Sequence, residues 1–200
     1  MRATIGLFLA TAALTAGGCD RQSPGNGQGE AANVAVEDAS APAPDEAVAP
    51  AASAVTGAYD RSHAGEAAPA FGFTDPAGKA VTLAAYRGTP VLLNLWATWC
   101  APCVKEMPTL DALAAREGAK LQVIALSQDL EPERVAPFWA KGGYRAIRPA
   151  TDPKLAFSTG LGANLPTTIL YNRDGKEVWR FTGSTDWAGD EAKARIGEAG

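Results

Sequence analysis

The pattern of apolar and polar positions predicts alternating strands and helices over the C-terminal two-thirds of the chain. Residues 90–97, PVLLNLWA, and 120–127, KLQVIALS, are almost continuously apolar, as in strands that are covered on both faces. Residues 70–83 predict two short strands around a Pro-Ala-Gly-Lys turn. Two more strands, TTILY and KEVWRFTG, flank the sequence Asn-Arg-Asp-Gly at 172–175, which predicts a hairpin.

Helical segments separate these strands. The cysteine motif after Ala97 opens a helix that we expect to run to about Glu117, with Leu110 and Leu113 on its buried side. Further helices are expected at residues 132–141, 152–159 and 186–196. The tryptophans expected to be buried are Trp96, Trp139, Trp179 and Trp187. This alternation predicts a small α/β sheet with mixed strand pairing.

The first 19 residues have the features of a signal peptide and are left out of the predicted fold. Arg2 precedes an apolar stretch that is too short to cross a bilayer permanently, and small residues follow it. The sequence Ala16-Gly17-Gly18-Cys19 resembles a bacterial lipoprotein box, although Ala16 stands where leucine is usual. The resemblance implies that Cys19 carries lipid. Ordinary cleavage near Gly18 is the alternative.

Residues 20–60 predict a disordered tether, and residues 61–200 predict the folded domain. The tether is rich in Ala, Pro, Gly, Ser and acidic residues, so it cannot bury enough apolar surface to offset the entropy of ordering. About 40 such residues have an r.m.s. reach of roughly 35 Å, which would hold a domain clear of lipid headgroups.

Composition narrows the classes of function. The 200-residue chain has a net charge of −4 and no basic run, which argues against nucleic acid as a partner. Three cysteines and one histidine, His63, leave few soft metal ligands. An exported domain folds where stable disulfides are permitted. If Cys19 carries lipid, Cys100 and Cys103 have no other intramolecular partners.

The cysteine pair is the strongest candidate for chemistry. It lies in WATWCAPCVKEMP, residues 96–108, where a buried strand gives way to a helix. Unpaired amides and the helix dipole favour a thiolate in the first turn, so we expect Cys100 to be accessible and to have a lowered pKa. Cys103 should be more buried and less acidic. Cys100 is therefore expected to attack a disulfide, and Cys103 to resolve the mixed disulfide.

A metal site, a haem attachment site and a structural disulfide all fit the cysteine pair less well. A zinc site needs four ligands, and Cys19 and His63 could complete it only from a lipid anchor and a linker. A haem attachment motif needs histidine after the second cysteine, where this chain has Val104. A purely structural disulfide would close too small a loop to stabilise the fold much.

The block DPAGKAVTLAAYRGTPVLLNLWATWCAPCVKEMP resembles the thioredoxin superfamily, and specifically its exported TlpA/ResA-like thiol-disulfide oxidoreductases. The resemblance runs from about Ala67 to the C-terminus and includes PERVAPFWAKGGY and NLPTTILYNRDGK. It implies a thioredoxin fold of the α/β class, with a mixed central sheet, an N-terminal β-hairpin extension and a central insertion.

The same resemblance implies roles for residues near the cysteines. Pro166 matches the cis-proline of the superfamily, so that the main chain of Leu165 would pair with an extended substrate segment. Trp99 matches the exposed tryptophan that shapes the docking surface. Glu106 matches the functional glutamate of Cys-x-x-Cys-x-x-Glu and shares a helix face with Cys103. We expect it to handle protons or contact substrate, and a solvated surface position is the alternative.

Asn94 departs from the cytoplasmic thioredoxins, which place a buried, proton-accepting aspartate at this point. Asparagine cannot take a proton near neutral pH. If a carboxylate serves Cys103, Glu106 is the remaining candidate in the motif.

The resemblance also implies an enzyme, a protein-disulfide reductase that is tethered as a lipoprotein at the periplasmic face of the inner membrane. Asp20 after the lipidated cysteine implies retention in that membrane. The implied substrates are apocytochrome c or copper-centre assembly proteins of cytochrome oxidase. The implied electron donor is a membrane protein of the CcdA/DsbD type, and neither a bound cofactor nor a metal is expected.

Rival functions remain open. A disulfide oxidase of DsbA-like potential would run the same exchange in the opposite direction, and Ala101-Pro102 does not settle the direction. A copper chaperone on this fold would typically add a distant histidine, and no histidine follows His63. A peroxidase would need an Arg and a Thr that activate peroxide beside one cysteine. Thr98 is the one candidate near the motif and supports this function only weakly.

Overall fold

The structure is a computed structural model that describes residues 57–200. The expected signal peptide and lipid anchor at residues 1–19, and the tether up to residue 56, lie outside the described residues. Within the described part of the chain, no helix combines the length and the apolar character that a membrane crossing requires.

One mixed sheet runs through the described part of the chain. Its strands are β1 Ala58–Asp60, β2 Phe73–Thr74, β3 Ala80–Val81, β4 Val91–Trp96, β5 Gln122–Ser127, β6 Pro149–Thr151, β7 Thr167–Tyr171 and β8 Glu177–Thr182. They lie in the order β1-β8-β7-β4-β5-β6-β2-β3. The pairs β4–β5 and β5–β6 are parallel and the other pairs are antiparallel, which confirms the expected mixed pairing.

The α-helices of residues 57–200 are α1 Ala101–Glu117, α2 Val135–Gly142, α3 Ala156–Gly160 and α4 Asp190–Ile196. The first helix agrees with the prediction, whereas α4 begins at Asp190 and not at Asp186. Asp186 forms a turn instead, because its carboxylate accepts a hydrogen bond from the Ala188 amide at 2.9 Å and its carbonyl accepts one from the Gly189 amide.

Two apolar cores cover the two faces of the sheet, and β4 contributes to both. Leu92 and Trp96 pack in the core that α1 covers, while Leu93 and Leu95 pack in the other core around Phe157. Alternate residues of a strand point to opposite faces, so this strand reads as a continuous apolar run. The residues predicted to be buried are buried: Leu110, Leu113, Trp96, Trp139, Trp179 and Trp187.

The N-terminal hairpin and the central insertion meet at one edge of the sheet. The hairpin consists of β2 and β3, and Asp75 Oδ1 accepts hydrogen bonds from the amides of Ala77 and Lys79 in its turn. The insertion consists of α2, β6 and α3, between β5 and β7. Strand β6 pairs with both β5 and β2, so the insertion joins the hairpin to the centre of the sheet.

Strand β1 lies before the predicted domain boundary at residue 61. Strand β1 pairs antiparallel with β8, and the ring of Tyr59 lies 5.0 Å from Trp179 and 4.8 Å from Phe181 between centroids. The predicted tether therefore ends too late in the sequence. Its composition describes the segment as a whole, whereas a single aromatic side chain packs its last residues onto the domain.

Candidate active site at the cysteine pair

The cysteine pair lies where β4 ends and α1 begins. The strand ends at Trp96 and the helix starts at Ala101, so Cys100 occupies the N-cap position and Pro102 lies in the first turn. Proline suits this turn, because an amide proton there would have no partner within the helix. The unpaired amides and the positive dipole end of α1 are therefore next to the outer cysteine.

Cys100 and Cys103 form a disulfide, with their Cα atoms 5.3 Å apart. Cys103 is fully buried and Cys100 is 6% exposed, so the expected difference in depth is present. The outer cysteine is nevertheless less accessible than the sequence predicts, because it packs in the same core as Trp96 and Met107. A substrate sulfur can therefore reach Cys100 only through the small part of its surface that is exposed.

Asp129 fixes the loop before the cysteines to the end of β5. Its carboxylate accepts hydrogen bonds from the Thr98 amide at 3.0 Å and from the Thr98 hydroxyl at 2.7 Å. The Ser127 hydroxyl donates a third, also at 2.7 Å. Asp129 is buried, and these donors satisfy its oxygens. The loop that presents Cys100 is thus anchored on the neighbouring parallel strand.

Glu106 is buried, and the alternative of a solvated surface position is excluded. The residue is 2% exposed and lies one turn after Cys103 on α1. Asn94 Nδ2 donates a hydrogen bond to Oε1 at 2.9 Å, and Trp187 Nε1 donates one to Oε2 at 3.0 Å. The Thr185 amide donates to the same oxygen at 3.3 Å.

Burial raises the pKa of Glu106 to about 7, because removal from water disfavours the charged carboxylate. Hydrogen bonds from Asn94, Trp187, Thr185 and Ser184 act in the opposite direction and lower this pKa. A carboxyl with these properties can take up and release a proton near neutral pH. Its position on the helix face of Cys103 makes it a candidate acceptor for the proton of the inner thiol.

Asn94 serves Glu106 as a hydrogen-bond donor. Its Nδ2 donates to Glu106 and to Thr168 Oγ1, at 2.9 Å in both cases. Its Oδ1 is buried and has no hydrogen-bond partner within residues 57–200, a cost that the two donated bonds offset. The amide thus supports the carboxylate where the cytoplasmic thioredoxins have an aspartate.

The segment 183–187, which follows β8, joins the cysteine helix to the proline loop. The Gly183 amide donates a hydrogen bond to the Pro166 carbonyl at 2.9 Å. Ser184 Oγ donates one to the Pro102 carbonyl at 3.3 Å. This segment therefore contacts the loop before β7 and the first turn of α1.

The Leu165–Pro166 peptide bond is cis, as the resemblance implies. Thr167, the next residue, pairs with Leu95 near the end of β4. The proline loop therefore lies at the same edge of the sheet as the cysteine loop. Leu165 is half-buried and packs against both cores.

The surface beside the disulfide carries two exposed apolar side chains. Trp99 is 70% exposed, as expected, and Leu130, which the sequence did not single out, is 71% exposed. Both line a groove of about 180 Å³, with Arg134 at its side. A larger cavity of about 350 Å³ lies at the opposite end of β4, next to Pro90. The groove, and not the larger cavity, adjoins the cysteine loop.

Besides Leu130, the sequence does not predict several contributors to the site, among them Trp187, Thr185 and Asp129. Trp187 was expected only as a core residue, and Thr185 and Asp129 were not considered. Trp187 lies 81 positions from Glu106, and no motif links the two residues. Asp129 did carry a signal, because it follows a buried strand parallel to β4, and the carboxyl ends of such strands meet at one edge of a sheet.

One family model and several known proteins match the chain. Residues 63–196 match the Redoxin family model. The thiol-disulfide oxidoreductase ResA of Bacillus anthracis is 35% identical over 126 residues, which cover 62% of this chain and 72% of that protein. A solved structure assigned as the thiol:disulfide interchange protein DsbE of Chlorobium tepidum has 28% identity and a TM-score of 0.62, and covers 68% of this chain and 98% of its own. The solved structure of the exposed lipoprotein thioredoxin of Streptococcus pneumoniae has 25% identity and a TM-score of 0.55. The match covers 64% of this chain and 98% of that protein.

The oxidised protein should become less stable as pH rises between about 4.5 and 7. In this range the native protein keeps a proton on Glu106 that the unfolded chain has released, because the pKa is raised from 4.5 to about 7. The stabilisation that this retained proton provides is fully present below pH 4.5. It is lost as pH rises through the native pKa of Glu106, and the free energy of unfolding falls by up to about 3 kcal/mol. Urea unfolding of the wild type and of Glu106→Gln at several pH values measures it.

As pH rises, the wild type should lose stability relative to Glu106→Gln, because glutamine has no proton to release. Glu133→Gln, at an exposed position of the insertion, is the matched control and should follow the wild type at every pH. A constant difference between wild type and Glu106→Gln from pH 4.5 to 8 would contradict the prediction.

Proposed function

The chain belongs to the Redoxin family and is a thiol-disulfide oxidoreductase of the ResA type, and on this premise we propose that it reduces protein disulfides at the periplasmic face of the inner membrane. The observation that carries the proposal is the disulfide between Cys100 and Cys103 at the N-terminus of α1, one turn from the buried carboxyl of Glu106. The electrons pass between sulfur atoms, so the reaction needs no bound cofactor.

The outer cysteine begins the reaction. The Cys100 thiolate, favoured by the amides and dipole of α1, attacks one sulfur of the substrate disulfide. A new bond forms between Cys100 Sγ and that sulfur, the substrate disulfide breaks, and its other sulfur leaves as a thiolate. The product of this step is a mixed disulfide.

The inner cysteine completes the reaction. Cys103 gives its thiol proton to the Glu106 carboxylate, and the resulting thiolate attacks Cys100 Sγ. The substrate sulfur leaves with the electron pair of the mixed disulfide, so the substrate gains two electrons in all and the enzyme is left with the Cys100–Cys103 bond. Glu106 then returns its proton to solvent or to product.

Substrate contacts are proposed along the edge that holds the cysteine and proline loops. The main chain of Leu165, before the cis-proline Pro166, would pair with an extended substrate segment. The exposed side chain of Trp99 would pack on the residues next to the substrate cysteine, and Leu130 extends that surface. The position of Pro166 beside the end of β4 supports this arrangement.

The enzyme disulfide must be reduced again after each cycle. We propose a membrane electron donor of the CcdA/DsbD type, and substrates among apocytochrome c or copper-centre assembly proteins. The support is the resemblance of the cysteine motif and its surrounding block to the TlpA/ResA-like proteins. Reduction, and not DsbA-like oxidation, is the proposed direction.

The location follows from the N-terminal segment. The box that ends at Cys19 would attach lipid, Asp20 would keep the protein in the inner membrane, and the segment predicted at residues 20–60, without the residues of β1, would form the tether. Similarity to the exposed lipoprotein thioredoxin of Streptococcus pneumoniae supports an acylated form.

Replacement of each active-site cysteine should stop the reaction at a different step. Cys100→Ser should abolish exchange, because no thiolate begins it. Cys103→Ser should accumulate a mixed disulfide with the natural substrate, because nothing resolves it. Non-reducing gels of the membrane-purified full chain, followed by mass spectrometry of the trapped partner, measure both effects.

The double variant with both cysteines replaced is the control for non-specific capture. Full insulin-reducing activity in either single variant would contradict the dithiol mechanism. A trapped partner from outside cytochrome c and copper-centre assembly would contradict the proposed substrates but not the mechanism.

The proposed direction predicts a reducing potential. Equilibration of the full chain with thiol–disulfide buffers should give a value closer to that of thioredoxin, about −270 mV, than to that of DsbA, about −120 mV. A value near that of DsbA would contradict the reductase assignment and leave the exchange chemistry in place.

The lipid anchor predicts a change of cell fraction. Cys19→Ser should move the protein from the membrane to the soluble periplasmic fraction, because the acyl acceptor is lost. Cys103→Ser serves as the matched cysteine control and should stay in the membrane. Retention of Cys19→Ser in washed membranes would contradict anchoring through Cys19.

A further inference from the structure

The Glu106 carboxyl is held from two sides. Strand β4 supplies Asn94 Nδ2 to Oε1, and the segment 183–187 supplies the Thr185 amide and Trp187 Nε1 to Oε2. The indole bond is the shorter of the two on Oε2, at 3.0 Å against 3.3 Å. The Ser184 side chain also hydrogen-bonds the carboxyl, and both it and the Thr185 amide lower the pKa of Glu106 less than Trp187 does. Trp187 is therefore the main donor from this segment.

Packing fixes the direction in which the indole donates. The Trp187 ring is fully buried, lies parallel to Trp179 at a centroid distance of 6.4 Å, and meets Phe181 edge to face at 5.9 Å. Its backbone amide also donates to Thr109 Oγ1 at 3.1 Å, one turn beyond Glu106 on α1. The N–H is thus aimed at Oε2 by contacts on both sides of the residue.

Hydrogen bonds, and not ion pairs, support the negative charge of Glu106. No lysine or arginine within residues 57–200 forms an ion pair with it. Strand β4 carries no titratable residue, and Cys103 on the same face of α1 titrates only when the disulfide is reduced. The facing segment carries Asp186, which is exposed and accepts a hydrogen bond from the Ala188 amide. An indole N–H can only donate, and it bonds an ionised acceptor about twice as strongly as a neutral one. The bond from Trp187 therefore favours the carboxylate over the acid.

We propose that Trp187 is a positioning residue for disulfide exchange: its indole N–H holds Glu106 on the helix face of Cys103 and favours the charged form that accepts the thiol proton. The inference rests on the proposed function of Cys103 and Glu106, and it adds a residue that acts through Glu106. Without the N–H, Glu106 keeps its own proton to a higher pH and cannot take that of Cys103. The first step, attack by Cys100, does not require this transfer.

The two steps can be observed separately with a coloured reagent. The reduced full chain carrying Cys19→Ser is mixed with dithiobis-nitrobenzoate in a stopped-flow instrument. Attack by Cys100 releases one nitrothiobenzoate ion, and attack by Cys103 on the mixed disulfide releases the second. The rate of each release is measured as a function of pH for the wild type, Trp187→Phe and Trp179→Phe.

In Trp187→Phe, the rate of the second nitrothiobenzoate release should rise with pH about one unit higher than in the wild type. At a pH well below the midpoint of the wild-type profile, this shift makes the second release about tenfold slower. Its rate at high pH and the profile of the first release should be unchanged. Trp179→Phe is the matched control, because Trp179 is equally buried but donates its indole N–H to the Arg195 carbonyl at 3.0 Å. It should match the wild type in both releases.

Two results would overturn the inference. An unshifted profile in folded Trp187→Phe would mean that the indole N–H has no effect on the proton acceptor. A second release that slows equally at every pH would mean a purely structural role. Failure of the proposed function would look different, because wild type and both variants would then lack the second release.

An isosteric replacement covers the case in which Trp187→Phe does not fold. Trp187→benzothienylalanine keeps the fused ring and places sulfur where the indole has N–H. It should give the same shift of about one pH unit in the second release. A wild-type profile in this variant would overturn the inference, and near-UV circular dichroism reports whether each variant is folded.

Discussion

The burial of a carboxyl group one turn from the inner cysteine is the constraint on which the rest of the site depends. A carboxyl that is 2% exposed has lost almost all of its hydration, and ionising it there is costly unless donors replace the water. The donors come from β4 and from the segment after β8, and these can meet at Glu106 only when the sheet is complete. The raised pKa of Glu106 is thus a property of the whole fold, although Glu106 itself belongs to the cysteine helix.

A second buried carboxylate, Asp129, has the complementary task on the outer side. Its bonds to Thr98 hold the loop before Cys100 against β5, while the bonds of Glu106 hold the helix after Cys103 against β4 and the segment 183–187. Both sulfurs are therefore carried by backbone that is anchored on each side. Such a frame suits exchange, because the backbone of the two cysteines stays in place while the bond between their sulfurs opens and closes.

Much of the fold follows from local pattern. The apolar run of β4, the hairpin turn at 172–175 and the helix after the cysteines were predicted, because each depends on neighbouring residues. The start of α4 and the pairing of β1 were not, since a turn at Asp186 and the packing of Tyr59 on Trp179 override the local pattern. Within the site, the cysteines, Trp99 and the cis bond before Pro166 were predicted, whereas the groove at Leu130 was not.

The sequence by itself determined the α/β elements, the cysteine pair at a strand-to-helix junction, and the helix face that Glu106 shares with Cys103. These features are set by spacing along the chain, which a helix converts directly into direction. Only the tertiary structure decided that Glu106 is buried, that Cys100 is largely covered, and that Trp187 is one of the donors to the carboxyl. Those properties arise from contacts between residues as far as 81 positions apart, and no spacing rule connects residues that meet only after the sheet has closed around them.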